Sequence, residues 1–412
     1  MSSRRGFLSS TGIAVLGGAL PSFLGRAALA EPLPALGARV DPDNVLVVVQ
    51  MGGGNDGLNT VVPYPDDAYH RVRPTIGLAE NAVLELDGRI GFNPALAALA
   101  EMYKQGRVAV VQGVGYPNPN RSHFEATQIW ETASPDRPTS SGWLGRYLDA
   151  GATTRGVTNA ASFGAIALGD TVPTALVASH VDVPAIGTLA TYGYNTGTDA
   201  VSKSAAGRLY DGARPGQSPY LGLIERAARD AMHGGDLLRA KLSNVAAPAV
   251  TYPRDAFAQQ LALAARIVAA RLGTKIVFVS IGSFDTHSGQ RAQQDRLLGY
   301  LANGLRAFYA DLDARGLGDR VLALTFSEFG RRVAQNASAG TDHGTAMPLF
   351  VVGGRVKGGV YGDHPSLTDL DSGGDLKFSC DFRRVYATVV ERWLGRSANG
   401  IIAGTFDTLG FV

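Results

Sequence analysis

Five nearly continuous runs of Val, Leu, Ile and Phe constrain the fold of this chain more than any other feature of its sequence. They occupy residues 44–51, 108–111, 275–281, 321–326 and 349–352. A strand with one face in water alternates apolar and polar residues, whereas a strand buried on both faces of a parallel sheet does not. The runs therefore predict an α/β protein with a mostly parallel sheet.

Helical patterns separate these runs. The candidates are residues 94–105, 255–272, 290–314 and 382–394. Asn93 and Asp255 suit helix N-caps, and Gly273 suits a C-cap of the helix before it. Strands that alternate with helices predict a doubly wound, three-layer α/β/α sandwich.

The domain organisation follows from length and composition. Without a 30-residue leader, 412 − 30 = 382 residues remain, a length compatible with one elaborated α/β domain over residues 31–412. Residues 190–250 are rich in Gly, Ser and Ala and contain no strong strand pattern. We interpret them as a small insertion or cap on that domain.

The N-terminus has the layout of a twin-arginine signal peptide. Arg4 and Arg5 precede an apolar stretch at residues 11–24 and a small-residue cleavage motif that ends at Ala30. The stretch is shorter than the roughly 20 residues of a membrane span, and Gly and Pro interrupt it. The pattern predicts a periplasmic or secreted protein that has the twin-arginine export machinery as a partner and no permanent membrane anchor. Since this route carries folded proteins, it favours one that acquires a metal or cofactor before export.

Charge and cysteine content exclude two classes of protein. The chain carries a formal charge of +2, and the leader contributes three arginines and no acid, which leaves 2 − 3 = −1 for the rest. This balance argues against a nucleic-acid partner. Cys380 is the only cysteine, so an intramolecular disulfide cannot form.

Acids and histidines collect where the predicted strands end or begin. They are Asp56 after the first run, Asp285 and His287 after the third, Glu328 after the fourth, and Asp342 with His343 before the fifth. In open α/β sheets, ligands bind beyond the carboxyl ends of the strands. Carboxylates and imidazoles that meet there predict a metal site.

Four of these residues also fit a structural role. Asp56 lies in a glycine-rich turn, where its carboxylate could simply accept backbone amides. Asp285 and His287, two residues apart, share one face of an extended segment, which suits either a common metal ion or a hydrogen-bonded pair. Glu328 could be a solvated loop acid.

Asp342 and His343 are adjacent, so an extended backbone directs them to opposite sides. We expect His343 to be the ligand and Asp342 to orient it. A mixed set of carboxylates and imidazoles suits zinc or manganese better than magnesium or calcium. The expected cofactor is therefore one or two divalent ions of that kind.

Ser122 allows two interpretations. With Glu125 three residues later, it forms the pattern of a capping box at a helix start. A serine at a helix N-terminus is equally suited to bind an anion or to attack as a metal-activated nucleophile. Arg121 or Arg331 would then hold the remaining oxygens of an anionic substrate.

Several ordered blocks carry a family resemblance that spans nearly the whole chain after the leader. They are VVVQMGGGNDGLNTVVPY, RSHFEATQIWETA, GWLGRYLD, SFDTHSGQ, LTFSEFGRR, TDHGTAMPLFVVGG and DFRRVYATVVERWLG. With the twin-arginine start, they resemble the bacterial family known as domain of unknown function 1501. That family is grouped with the alkaline phosphatase and sulfatase superfamily, whose enzymes use an α/β/α core and a pair of metal ions that bridge a Ser or Thr nucleophile.

The resemblance implies roles for particular residues. Asp56 is similar to the acid after the first strand, Ser122 to the nucleophile, Asp285 with His287 to one ligand pair, and His343 to the late histidine ligand. One departure is that the superfamily's adjacent Asp-His pair is replaced here by Glu328-Phe329. Another is the close spacing of the 285–287 pair, and Asp342-His343 could instead be the adjacent pair. One metal or a remodelled site is therefore as compatible with the sequence as two metals.

The function expected from these observations is hydrolysis of phosphate or sulfate esters by an exported, metal-dependent enzyme. Its substrate would be an anionic small molecule or polymer. One alternative is a non-catalytic exported protein that retains the fold as a binding or structural module. Another is a metal-dependent hydrolase of carbohydrate or another anionic polymer, with residues 190–250 shaping an extended cleft.

Overall fold

The computed structural model describes residues 40–137, 139–155, 163–189, 192 and 234–412. The predicted signal peptide, residues 1–30, lies outside the described residues, as does most of the predicted insertion at 190–250. Both therefore stay predictions.

A mixed, mostly parallel sheet of eight strands organises the described part of the chain. Its strands are β1 (Val45–Met51), β5 (Val108–Gly115), β6 (Ala165–Ala167), β7 (Ile276–Ile281), β8 (Val321–Phe326), β9 (Met347–Gly353), β10 (Gly359–Tyr361) and β11 (Cys380–Asp381). The order is β10-β5-β9-β8-β1-β7-β6, and β11 also pairs with β5. The short strands β2 (Val61–Val62), β3 (Leu84–Glu85) and β4 (Gly91–Phe92) form a separate antiparallel sheet.

The five apolar runs coincide within a few residues with β1, β5, β7, β8 and β9, so these five strands are confirmed, whereas the short strands β6, β10 and β11 were not predicted. The described helices are α1 (Asp67–Val72), α2 (Ala97–Lys104), α3 (His123–Thr132), α4 (Trp143–Arg155), α5 (residues 234–243), α6 (Ala256–Ala269), α7 (Gln290–Ala314) and α8 (Phe382–Thr388). A π-helical turn, Val389–Trp393, continues α8. Of the helices described, none is both long and apolar enough to cross a membrane.

Two of the three predicted helix caps are confirmed. The side chain of Asn93 accepts a hydrogen bond from the amide of Ala95, and that of Asp255 accepts one from the amide of Ala258. The prediction for Gly273 was wrong, because α6 already ends at Ala269. Gly273 lies in the turn that follows, where its φ of +78° suits a residue without a Cβ.

Helices cover both faces of the sheet, and β1 shows how the chain achieves this. Val47 and Val49 point into one apolar core, which contains residues of α2, α6 and α7. Leu46 and Val48 point into the other core, which contains residues of α3, α4 and α8. Successive side chains of a strand alternate between faces, so an unalternated apolar run supplies both cores.

Strand direction determines where the loops meet. β9 is antiparallel to both β5 and β8, whereas β1 is parallel to β7 and β8. The start of β9 therefore lies at the same edge as the carboxyl ends of β1, β5, β7 and β8. The sequence predicted a mostly parallel sheet but not which strand would be reversed.

Candidate metal centre

Segments from this carboxyl edge bring three histidines around one aspartate. His123 begins α3 after β5, Asp285 and His287 follow β7, and His343 precedes β9. An isolated antiparallel bridge between Arg331 and His343 holds the last segment beside the loop that follows β8. We refer to His123, Asp285, His287 and His343 as the histidine cluster.

The distances within the histidine cluster are short. Asp285 Oδ1 lies 3.0 Å from His287 Nε2 and 3.1 Å from His343 Nε2, and these two nitrogens are 2.9 Å apart. Asp285 Oδ2 lies 3.5 Å from His123 Nε2. One ligand atom each from His123, Asp285 and His343 falls within 4.8 Å of the other two. These three side chains can hold a metal ion.

Each imidazole of the cluster has an oxygen acceptor at its Nδ1. His123 Nδ1 lies 2.8 Å from Glu328 Oε1, His287 Nδ1 lies 3.1 Å from Asp342 Oδ1, and His343 Nδ1 lies 2.9 Å from the carbonyl oxygen of Arg121. A carboxylate or carbonyl oxygen can only accept, so each ring can donate from Nδ1 to the oxygen beside it. A ring protonated at Nδ1 has its Nε2 lone pair free for a metal ion, whereas a ring protonated at Nε2 donates to Asp285 instead, as His343 can at 3.1 Å.

The orientation of the rings has a consequence for metal binding. With Nδ1 protonated, the Nε2 lone pairs of His287 and His343 and the carboxylate of Asp285 would face a shared cation. A bound cation stabilises such an arrangement, and imidazoles oriented through their other nitrogen are the usual form of histidine ligands. The donor set therefore fits a divalent ion such as zinc.

Arg331 fixes the charge of Asp285. Its Nη2 donates to Asp285 Oδ1 at 2.6 Å. Burial raises the pKa of Asp285, but the hydrogen bonds from Arg331 and His343 outweigh that effect and lower the pKa to about 2. Asp285 therefore remains an anion at neutral pH.

Arg331 was expected to hold substrate oxygens, but the structure places it inside the protein. Its side chain is fully buried, and each of its three nitrogens has an internal acceptor. Nε donates to the carbonyl of Gly54 at 2.7 Å, and Nη1 donates to the carbonyl of Thr341 at 2.7 Å. Arg331 thus links the loops after β1 and β8 to the segment before β9.

The glycine turn after β1 allows these loops to approach closely. Gly53 has a φ of +116°, and a Cβ there would lie 2.5 Å from the backbone nitrogen of Asp285. Its amide donates to Glu328 Oε1 at 2.9 Å, the oxygen that also contacts His123. The turn therefore supports the cluster with its backbone rather than binding a phosphate.

Asp56 lies outside the histidine cluster, although the sequence suggested it as a ligand. It is buried and pairs with Arg73 Nη1 at 2.5 Å. The side-chain amide of Gln290 donates to the same carboxylate oxygen, and the other oxygen accepts from the amide of Leu58. We refer to Asp56, Arg73 and Gln290 as the Asp56 cluster. Hydrogen-bond donors thus occupy both carboxylate oxygens of Asp56, the atoms with which it would bind a metal.

Gln290 connects the two clusters. Its Oε1 accepts hydrogen bonds from Thr286 at 3.2 Å and from Thr341 at 2.5 Å. Thr286 lies between Asp285 and His287, and Thr341 is two residues before His343. The first turn of α7 thereby positions two segments that carry the histidine cluster.

Ser122 occupies the N-cap position of α3, yet its hydroxyl makes no capping hydrogen bond to the described residues. Its amide instead donates to Asn120 Oδ1 at 2.7 Å, and Glu125 accepts from the amide group of Asn120. The capping box weighed from the sequence is therefore not formed. Ser122 is exposed beside His123, and its role as a nucleophile stays a prediction.

Arg121 contributes through its backbone as well as its side chain. Its carbonyl accepts from His343 Nδ1, and its guanidinium pairs with the buried carboxylate of Asp375. Contact with a substrate, as expected from the sequence, stays a prediction.

Residues 91–395 match the profile of a family described as "Protein of unknown function (DUF1501)". This match covers more than half of the chain. The chain belongs to the DUF1501 family. No curated protein matches it.

Solved structures similar to this DUF1501 protein have low identity. The zinc complex of the C-terminal periplasmic domain of EptC from Escherichia coli is 8% identical, with a TM-score of 0.35, over 76% of this chain and 75% of that one. The lipoteichoic acid synthase LtaP from Listeria monocytogenes is 8% identical, with a TM-score of 0.37, over 89% and 78%. A protein in the alkaline phosphatase superfamily from Vibrio parahaemolyticus is 10% identical, with a TM-score of 0.32, over 78% and 62%.

Two features of this DUF1501 site were not anticipated. His123 was weighed only as part of a helix start, although its position just beyond β5 placed it at the edge where ligands were expected. The second is the ring of Phe329, whose centroid lies 5.0 Å from that of His123 and 4.5 Å from that of His343. Phe329 thus closes one side of the cluster with an apolar wall.

Proposed function

We propose that this chain is an exported, metal-dependent hydrolase of phosphate or sulfate esters. One observation carries the proposal: three imidazoles have Nδ1 held by an acceptor and Nε2 turned toward Asp285, at a solvent-exposed edge of the sheet. The side chains of His123 and Asp285 are 36% and 44% exposed, so a substrate can reach them.

The ion would be held by His123, Asp285 and His343, with His287 beside them. A divalent ion supplies a water of lowered pKa and neutralises charge on the ester oxygens. Glu328 and Asp342 keep two of the rings in the orientation that ligation requires.

The proposed reaction needs no reactant other than the ester and water. The water oxygen bonds to phosphorus or sulfur while the bond to the alcohol oxygen breaks. The electron pair leaves with that oxygen, which takes the proton released by the water. With Ser122 as the nucleophile, the serine oxygen bonds to phosphorus or sulfur while the alcohol leaves with the serine proton. Water then displaces the serine oxygen, which takes a proton from that water.

The surroundings favour one ion over two. Glu328 is buried and already contacts the amide of Gly53 and His123 Nδ1. Phe329 presents a ring at the position where the superfamily pattern has a histidine. Asp56, a ligand in the resemblance, is engaged with Arg73. These three departures remove ligands that a second ion would use.

The test combines metal analysis with turnover. The mature protein is stripped with a chelator, reloaded with zinc or manganese, and assayed on aryl phosphate and aryl sulfate esters. We expect about one ion per chain and turnover that depends on it, and both should be lost in His343→Ala. Absence of a stoichiometric ion together with absence of metal-dependent turnover would overturn the proposal.

Ser122→Ala identifies the nucleophile in the same assay. Full turnover in this variant assigns attack to water, whereas loss of turnover with retained metal assigns it to the serine hydroxyl.

A non-catalytic exported binding module is the second candidate. Arg331 and Asp56 both form ion pairs within the protein, and this observation favours the binding module. Fewer side chains are then left to contact a substrate than the sequence suggested. This candidate predicts a stoichiometric ion without turnover of any ester in the panel.

A further inference from the structure

A cavity of about 390 Å³ adjoins the histidine cluster. Its apolar lining includes Tyr116, Phe329, Ala346, Leu376 and Phe378. Phe329 borders both, since it lines the cavity and its ring packs against His123 and His343.

The cavity and the cluster are built from the same loops. The segment after β5 contributes Tyr116 and Asn120 to the cavity and His123 to the cluster. The segment before β9 contributes Ala346 to the cavity and His343 to the cluster. The amide of Asn120 donates to the Tyr116 hydroxyl at 3.0 Å, which holds the first of these loops against the cavity wall.

The charged residues of the lining already have partners. Lys377 Nζ lies 2.5 Å from Asp369 Oδ1. Asp371 Oδ1 accepts from the amides of Gly373 and Asp375 at 2.8 and 2.9 Å. The cavity therefore offers apolar and aromatic contacts rather than a second site for an anion.

The size of the cavity limits what it can hold. A cavity of roughly 150 Å³ accommodates benzene, so this one has room for a substituted or fused ring but not for a polymer segment. We infer that it binds a ring-bearing alcohol group of the ester, which assigns the substrate to small esters of aromatic alcohols. This inference rests on the proposed hydrolase function.

The test compares esters that differ only in the ring. Benzyl and methyl esters of phosphate and of sulfate are assayed with the metal-loaded protein. The two leaving alcohols, benzyl alcohol and methanol, have similar acidity, so the apolar contact decides the ratio of kcat/KM. We expect the benzyl ester to be favoured by about tenfold or more.

Two variants assign the preference to the cavity. Phe378 lies at its exposed side, so Phe378→Ala removes an aromatic contact without opening the core, and the ratio should fall by about two- to tenfold. Ser372→Trp fills the exposed rim and should lower the ratio further. Leu237→Ala is the matched control, because Leu237 is an exposed apolar residue outside the cavity lining.

A binding measurement separates this inference from the hydrolase proposal. If neither ester of a pair is turned over, the metal content and the aryl-ester assay still decide the hydrolase proposal, and calorimetry with benzyl- and methylphosphonate and the matching sulfonates judges the cavity alone. Tighter binding of a benzyl compound that Phe378→Ala abolishes supports the cavity assignment. A benzyl-to-methyl ratio near one, in kcat/KM or in affinity, overturns the cavity assignment. So does a ratio that neither Phe378→Ala nor Ser372→Trp changes.

Discussion

Asp56 and Asp285 follow neighbouring strands, β1 and β7, yet their carboxylates have different surroundings. Asp56 is 1% exposed, and hydrogen-bond donors occupy both of its oxygens. The side chain of Asp285 is 44% exposed, and its neighbours include the Nε2 atoms of His287 and His343. Each aspartate also contacts a fully buried arginine, Arg73 or Arg331.

The difference teaches that charge alone does not make a ligand. Both carboxylates are paired with an arginine, but only Asp285 also lies beside imidazole nitrogens that can bind a metal. A buried carboxylate enclosed by amide and guanidinium donors stabilises the fold, whereas an exposed carboxylate beside imidazoles can bind a cation. We therefore expect Asp56 to act in stability and Asp285 in metal binding, and substitutions can test each role.

The largest effect is expected for Asp56→Ala. This change leaves the buried Arg73 without its carboxylate, and the loss of a buried partner costs about 3–5 kcal/mol in the free energy of unfolding. Urea unfolding of the metal-free protein measures it. Asp66→Ala is the control, since Asp66 also caps a helix through the amide of Ala68 but has no arginine partner there, and it should cost about 1 kcal/mol.

A paired replacement sharpens this prediction. Asp56→Leu combined with Arg73→Met removes both charges, and it should recover most of the lost stability because no buried charge is left unpaired. Equal losses in the single and double variants would contradict the assignment of Asp56 to an ion pair.

His343→Ala should have the next largest effect, on metal affinity. Removal of one of three ligands should weaken zinc binding by at least about 100-fold, or about 2.7 kcal/mol. Competition with a chromophoric chelator measures the affinity. His180→Ala serves as the control, because His180 is exposed and lies outside the histidine cluster. Equal zinc affinity in the two variants would break the comparison.

Glu328→Gln should weaken zinc binding less, by about tenfold. Glu328 is not one of the three expected ligands, His123, Asp285 and His343, but it accepts a hydrogen bond from His123 Nδ1. Loss of a residue that hydrogen-bonds to a ligand typically weakens metal affinity by about 10- to 100-fold. Glu125→Gln is the control, because Glu125 lies on α3, the helix that begins with His123, and this change should leave the affinity unchanged. Complete loss of zinc in Glu328→Gln would instead identify Glu328 as a ligand.

The smallest effect is expected for Asp285→Asn in the metal-free protein. Asp285 is partly exposed and Arg331 keeps its carbonyl acceptors, so the free energy of unfolding should fall by less than about 1 kcal/mol. Thermal unfolding in the presence of a chelator measures this change. A loss as large as that of Asp56→Ala would show that the two aspartates are both structural.

Much of the fold was predictable because its strands are buried on both faces. Such strands need long apolar runs, and β1, β7 and β8 each lie within one or two residues of a run seen in the sequence. The direction of β9 was not predictable, since an apolar run reads the same in either direction and only pairing decides. Gly273 failed as a cap because α6 ends four residues earlier, where no glycine marks the end.

The site was predictable in its location more than in its members. Asp285, His287 and His343 lie close together, as expected for residues at one edge of the sheet. Asp56 also follows a strand and a glycine turn, but it pairs with an arginine instead of joining them. That partner, Arg73, lies 17 positions along the chain and belongs to no motif. His123 was missed because the helix-start pattern of Ser122 and Glu125 offered a sufficient local explanation for the segment.

The reversed strand β9 also bears on how the protein folds. Its pairs with β5 join residues that are more than half the chain length apart, such as Val108 and Val352. Contacts between such distant residues form slowly, because a long loop must close before they contribute. His123, which follows β5, therefore meets His343, which precedes β9, only when this long loop has closed. Ion uptake by the two histidines would then be a kinetic signal that the β5–β9 closure is complete.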